Sequence, residues 1–104
     1  MKENQLKFRT REYFNKKYKN KGVIWFPAKV KWQETDIFSI WDGIYWIGNR
    51  FILFQITTIK NKSARLKKIA NFMLLHNLYF SGRQVEGWLM CFRQKTKQFE
   101  IFKI

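Results

Sequence analysis

The sequence predicts an α/β domain in which a central mixed sheet is covered by helices on both faces. Three observations carry that expectation. Two amphipathic helical stretches alternate with groups of strand-like segments, and the most strand-like of these, "WDGIYWIGNRFILFQITT", is apolar on both of its faces. The chain of 104 residues, 46% hydrophobic and 19% aromatic, suits one domain spanning 1–104 with a core of its own.

The first helix is expected from Leu6 to Tyr18, because Leu6, Thr10, Tyr13, Phe14 and Lys17 share a helical face amid Lys, Arg, Asn and Glu. It stops at "NKG", where Gly22 supplies the residue usual beyond a helix end. "VIWFPAKVKW" then reads as a strand with Ile24, Phe26, Ala28, Val30 and Trp32 on one face. Pro27 cannot donate to a ladder, which assigns this strand to an edge or gives it a bulge.

After the polar break "QETD", two strands fold about Gly48-Asn49, a dipeptide suited to a two-residue hairpin turn. Ile47 then faces Arg50, Trp46 faces Phe51, Ile44 faces Leu53, and Asp42 faces Gln55, with Thr57 further along the same face. Directly opposed residues have Cβ atoms roughly 4.5–5.5 Å apart, so the carboxylate and carboxamide meet. A three-residue loop would separate them onto opposite faces. Ile44, Trp46, Phe51 and Leu53 line one face of the hairpin, and Trp41, Tyr45, Ile52, Phe54 and Ile56 the other. A second helix is expected from Ser63, as N-cap, to Asn77, with Leu66, Ile69, Ala70 and Met73 inward and Arg65 and Lys68 pointing elsewhere. "SG" turns the chain into the strand "VEGWLMCF", and "RQKTKQ" links it to a last strand, "FEIFKI". The order is α-β-β-β-α-β-β.

Charge narrows the partner. Lys and Arg number 21 against 7 Asp and Glu, a formal net charge of +14, and eight of the cations lie between Lys2 and Lys21. Nucleic acid is the commonest polyanion for such a domain, since each neutralised phosphate releases condensed counterions. The basic residues do not oppose a sustained apolar helical stripe, and no run of about twenty apolar residues is present, so a membrane role and a spanning segment are not expected. With no apolar signal core in the first twenty residues, the reading is a cytoplasmic protein. The lone Cys91 excludes an internal disulfide and a Cys-based zinc site, and it reads as a buried thiol.

An acid opposite a second oxygen donor can form half of an oxygen-ligand site for a hard cation such as Mg²⁺ or Mn²⁺. The alternative is that Asp42 caps a turn or pairs with Lys60, Lys62 or Arg65, and that Gln55 satisfies backbone groups. Glu12 has the plain alternative of pairing with Lys16 or Arg9. Asp36 reads as a turn residue and is the second choice as ligand, and His76 reads as a helix-end residue. Most of Trp25, Trp32, Trp41, Trp46 and Trp88 are expected in the core, with room for one exposed ring to stack on an unpaired base.

Asp42, a hairpin, then Gln55-Ile56-Thr57 resembles the Asp and Glu-x-Lys of PD-(D/E)XK nucleases, and the chain order resembles their restriction-endonuclease-like core, in particular archaeal Holliday-junction resolvases. A nearer likeness is to resolvase-like proteins of phages and prokaryotes with the pattern "W-Q-x-x-D-x-F-x-x-x-D", "Q-V-T-T" and "S-A-R-x-K-K-I". Here the counterparts are Trp32-Gln33, Asp36, Phe38, Asp42, Gln55-Ile56-Thr57-Thr58 and Ser63-Ala64-Arg65-Leu66-Lys67-Lys68-Ile69. The resemblance covers nearly the whole chain.

It implies a metal-dependent DNA endonuclease that acts as a homodimer on branched or double-stranded DNA. Asp42 would bind Mg²⁺ or Mn²⁺, Gln55 would stand in for the second acidic ligand through a neutral oxygen, and Glu12 would complete the metal shell. Thr57 would take the position of the lysine that holds water or phosphate, with Lys60 or Lys62 reaching back in its stead. Arg65 and Lys68, three apart on one helical face, would clamp a phosphate near the metal. Lys16, Lys17, Lys19, Lys21, Lys29 and Lys31 would extend the basic surface along the duplex. The rival expectation is a non-catalytic nucleic-acid-binding protein with a degenerate nuclease fold, and a third is an interaction subunit for an acidic partner.

Overall fold

A computed structural model describes residues 3–27, 29–30, 33–34, 40–75 and 85–104. The elements in order are α1 (Glu3–Lys17), β1 (Val23–Trp25), β2 (Lys29–Val30), β3 (Gln33–Glu34), β4 (Gly43–Ile47), β5 (Arg50–Thr58), a 3-10 turn (Ile59–Asn61), α2 (Lys62–Leu75), β6 (Val85–Arg93) and β7 (Gln98–Lys103). Strands β1, β4, β5, β6 and β7 form, in that order, one mixed sheet, in which only β5 and β6 run parallel. The protein is therefore α/β with a mixed five-stranded sheet, and α1 and α2 cover opposite faces of it. No described helix is long and apolar enough to cross a membrane.

The expected hairpin register is the observed one: Ile47 opposes Arg50, Trp46 opposes Phe51, and Ile44 opposes Leu53. Gly48, at φ +56°, occupies the left-handed region that the two-residue turn needs. Strand alternation then sorts the apolar side chains into two layers. Tyr45, Ile52, Phe54, Trp88 and Met90 meet Phe14 of α1, while Leu53, Leu89 and Cys91 meet Ile69 and Phe72 of α2. Phe14 lies at the centre of the first layer, stacked on Tyr45 at a centroid distance of 4.3 Å. Thr10, fully buried one turn earlier, donates its hydroxyl to the Leu6 carbonyl at 2.7 Å and so enters the core without an unpaired polar group.

Several local expectations give way to tertiary packing. The stretch expected as one strand from Val23 to Trp32 breaks after Trp25, and Lys29–Val30 pairs instead with Gln33–Glu34 in a separate two-stranded sheet. The break falls at Phe26-Pro27, where proline has no N–H for a continuing ladder. Gly22 sits beyond the helix end as expected, yet the positive φ values belong to Lys19 and Asn20. Gly22 is needed because any Cβ there would strike the Tyr45 ring. Ser63 lies inside the first turn of α2 rather than capping it, because the 3-10 turn leads directly into the helix at Lys62. Phe72 is buried on α2 in place of the expected Ala70, which is exposed. Trp41 joins the α2 layer with Leu53 and Phe72 rather than the Tyr45 layer, since regular alternation ends where β4 ends.

One long-range ion pair locks the hairpin to β6. Arg50 Nε and Nη2 donate to Glu86 at 2.7 and 3.1 Å, and Trp88 Nε1 donates to the same carboxylate at 3.1 Å. The bonds from Arg50 hold the Glu86 carboxyl below its ordinary range. A carboxyl depressed in the folded state contributes stability above its unfolded pKa, about 4.3, and that contribution is lost as pH falls through the folded value. Urea midpoints measured from about pH 6 down to about pH 2.5 are expected to fall less steeply for Glu86→Gln than for wild type, with the two curves converging at the acid end. Parallel curves over that window would show the pair to be energetically idle.

Candidate functional site

The motif residues gather where β5 outruns β4. The last paired position of the ladder is Gly43 with Phe54, followed by one bond from Asp42 N–H to the Phe54 carbonyl at 2.8 Å. Beyond it, β5 is paired on its other side with β6 as far as Thr58 opposite Phe92, while among the described residues strand β4 itself begins only at Gly43. Past that point Asp42 Oδ2 accepts the Ile56 N–H at 2.7 Å. The aspartate thus serves a strand N–H beyond the end of the β4–β5 ladder, which gives a carboxylate a structural role at this point of an apolar hairpin.

Gln55, the residue before Ile56 on β5, is only 3% exposed. Its Nε2 donates to the Ile40 carbonyl at 3.0 Å, and its Oε1 is buried without a hydrogen-bond partner among the described residues. Leaving such an oxygen unsatisfied costs about 1–3 kcal/mol. Thr57, 6% exposed, follows on the same layer, and its hydroxyl reaches the Thr58 carbonyl at 3.4 Å. Lys60 is exposed on the 3-10 turn that continues β5. One corner therefore holds Asp42, Gln55 and Thr57, with Lys60 adjoining along the chain.

Glu12 lies elsewhere. It is on α1, ion-paired with Arg9 at 3.3 Å, and it lines a cleft against the turn between β6 and β7. Among the described residues no three acidic, His or Cys side chains come together as a metal-holding group. Asp36 and His76 lie outside the described residues.

The basic candidates divide by what already holds them. Lys62 is committed to the sheet, 3.3 Å from Glu100 and 4.1 Å above the Phe102 ring. Lys17 donates to the Tyr13 hydroxyl at 3.3 Å and lies over the Tyr13, Tyr18 and Trp88 rings, so its stem packs along the aromatic edge of the core. Lys16 and Lys68 are exposed and Arg65 is half-buried. Lys29 belongs to β2 with its side chain outside the description, and Lys31 lies outside the described residues.

Of the tryptophans, Trp41 and Trp88 are in the core, while Trp25 and Trp46 are each 52% exposed; Trp32 lies outside the described residues. Trp46 stacks on Phe51 at 5.4 Å, which presents a flat apolar surface near the hairpin turn. Cys91 is buried, and burial, ahead of the nearby Glu100, pushes its thiol pKa up, as suits an unreactive thiol.

Sequence reasoning missed the basic turn between β6 and β7. Its signal was the "RQKTKQ" segment, which reads as a plain polar link until the parallel pairing of β5 and β6 brings it beside Thr58 and Lys60. Comparison of the chain with protein-family models, with curated proteins and with solved structures finds no match.

Proposed function

We propose that this chain is a small metal-dependent DNA endonuclease with a restriction-endonuclease-like core, similar to the Holliday-junction-resolvase-like proteins, acting on branched or distorted duplex DNA. The observation that carries the reading is the buried Gln55 Oε1, without a hydrogen-bond partner among the described residues, on the neighbour of Ile56, whose N–H the Asp42 carboxylate accepts; an oxygen left over near a negative charge suits a hard cation. Support for the core comes from the order α1, β1, β4, β5, α2, β6, β7 around a mixed sheet. Support for the substrate comes from the net charge of +14.

Asp42 and Gln55 would hold Mg²⁺ or Mn²⁺. When bound, the ion supplies Lewis-acid activation for hydrolysis of a phosphodiester. The protein's own residues do the positioning. The Ile56 N–H fixes the Asp42 carboxylate, and the Ile40 carbonyl fixes the Gln55 carboxamide so that its oxygen is the atom left over. The Thr57 hydroxyl orients a neighbouring oxygen by hydrogen bonding, and Lys60 contributes the positive charge that threonine lacks. A homodimer would present two such corners to two strands.

The test is cleavage of a labelled four-way junction and its linear duplex with Mg²⁺, with Mn²⁺ and with chelator. Divalent-dependent nicking supports the reading. Salt-sensitive binding without nicking under all three conditions overturns it in favour of a non-catalytic nucleic-acid-binding protein, which Thr57 in the lysine position and the placement of Glu12 on α1 beside Arg9 both favour.

Gln55→Glu gives an independent check. In chelator it is expected to lower the unfolding temperature, because it loses the donor to Ile40 and buries a carboxylate. Saturating Mn²⁺ should then raise that temperature more than it does for wild type; at 100 times the dissociation constant the linkage is worth about 2.7 kcal/mol. A Mn²⁺ response no larger than that of wild type would remove the cation from this corner.

A further inference from the structure

The parallel pair β5 and β6 ends in register, with Thr58 opposite Phe92, so whatever follows each strand emerges at one end of the sheet. After β6 the chain turns through Gln94–Lys97, with Lys97 at φ +55°, and re-enters the sheet as β7. Two clefts adjoin this turn, and buried Phe92 contributes to both. The first cleft, of about 410 Å³, carries Lys16 and Lys97, its only acid among the described residues being Glu12, which Arg9 already neutralises. The second cleft, of about 570 Å³, carries Lys60, Arg93 and Lys95 and, among the described residues, no acid. Arg93 is paired with Glu100, whereas Lys16, Lys60, Lys95 and Lys97 have no ion-pair partner among the described residues. Each cleft is thus lined by two cations without an ion-pair partner among the described residues, Lys16 and Lys97 in the first and Lys60 and Lys95 in the second.

We propose that this turn docks across the major groove of duplex DNA, with Lys16 and Lys97 facing one phosphate row and Lys60 and Lys95 the other. The major groove of B-DNA, about 12 Å wide, admits a two-stranded β-ribbon and is bordered by phosphates on both walls. Lys60 continues directly from the strand that carries Gln55 and Thr57, so a duplex held here has its backbone beside the Asp42 corner. The inference rests on the nucleic-acid reading above and names the part of the chain that grips the substrate.

The experiment is binding of a labelled DNA duplex by fluorescence anisotropy between about 0.05 and 0.3 M salt. Lys95→Gln with Lys97→Asn removes two charges while keeping a residue that tolerates the left-handed backbone at position 97. The slope of log K against log salt should fall by about 1.8, which weakens binding about 10- to 100-fold at 0.1 M. Lys67→Gln with Lys103→Gln removes the same charge from exposed positions outside the two clefts and should leave the slope at the wild-type value. Equal losses in the two double variants would reduce the effect to net charge and overturn the proposal. An RNA duplex of the same sequence, whose major groove is deep and narrow, should not distinguish the turn variant from wild type, and an equal loss there would also overturn groove docking. Wild-type protein that binds no DNA would sink the function itself, whereas wild-type binding that the turn variant retains would sink the turn alone.

Discussion

Asp42→Asn is expected to lower divalent-dependent cleavage of a DNA junction by about 10³-fold, roughly 4 kcal/mol of transition-state stabilisation, while costing less than about 1 kcal/mol of folding stability. The two readouts separate because the proposed cation needs the charge, whereas the fold needs only the acceptor. Asp42 Oδ2 accepts the Ile56 N–H past the last β4–β5 pair, and a carboxamide oxygen can still do that. What the amide removes is the negative charge that a cation requires. Asp42→Ala removes both, so the same loss of cleavage should come with a further destabilisation of about 1–3 kcal/mol from the unpaired Ile56 N–H. Cleavage by Asp42→Asn at the wild-type rate would leave the carboxylate as an acceptor for that N–H and nothing more. DNA binding should survive both substitutions, since exposed lysines rather than this carboxylate supply the charge that meets phosphate.

The largest effect on the fold is expected from Phe14→Ala, at about 3–5 kcal/mol against a total stability of about 5–15 kcal/mol for a domain of this kind. Phe14 is fully buried and its ring meets Tyr45, Phe54 and Trp88 at 4.3, 5.4 and 5.7 Å, which makes it the main anchor of α1 on the sheet. Removing it opens a cavity walled by rings on three strands, β4, β5 and β6, that cannot collapse without bending the sheet. Phe8→Ala, six residues earlier on the same helix and 60% exposed, should change stability by less than about 0.5 kcal/mol. Urea unfolding followed by tryptophan fluorescence checks both variants. Comparable losses would mean that α1 is held by its whole surface rather than by this one ring.

The contrast between those two phenylalanines marks how far the primary structure could be read. Helical periodicity picked out Thr10 and Phe14 as inward residues of α1, and both are buried. The Gly48-Asn49 turn sufficed for the β4–β5 register, because a two-residue loop leaves one pairing that buries both hairpin faces. The pairing of Asp42 with Gln55 expected from that register falls one position beyond the last observed pair, Gly43 with Phe54. Periodicity failed where neighbours outside the segment decide. Phe72 displaces Ala70 as a buried residue of α2 because Trp41 packs edge-on against it at 5.5 Å, and Trp41 changed layers because the ladder ends at Gly43. Arg50 with Glu86, 36 residues apart, left no local trace, since a parallel strand pair joined through a helix has no fixed sequence spacing.

By itself, then, the amino-acid order determined the elements with strong periodicity, the hairpin pairing and the excess of positive charge, all of which depend on residues within a few positions of one another or on none. The tertiary structure alone decided that Asp42 serves the Ile56 N–H, that Gln55 Oε1 has no hydrogen-bond partner among the described residues, and that Glu12 sits on α1 beside Arg9. It also decided that the cations around Phe92 come from three separate segments. Those outcomes depend on where β5 outruns β4 and on β6 lying beside β5, distances in space that chain separation does not encode.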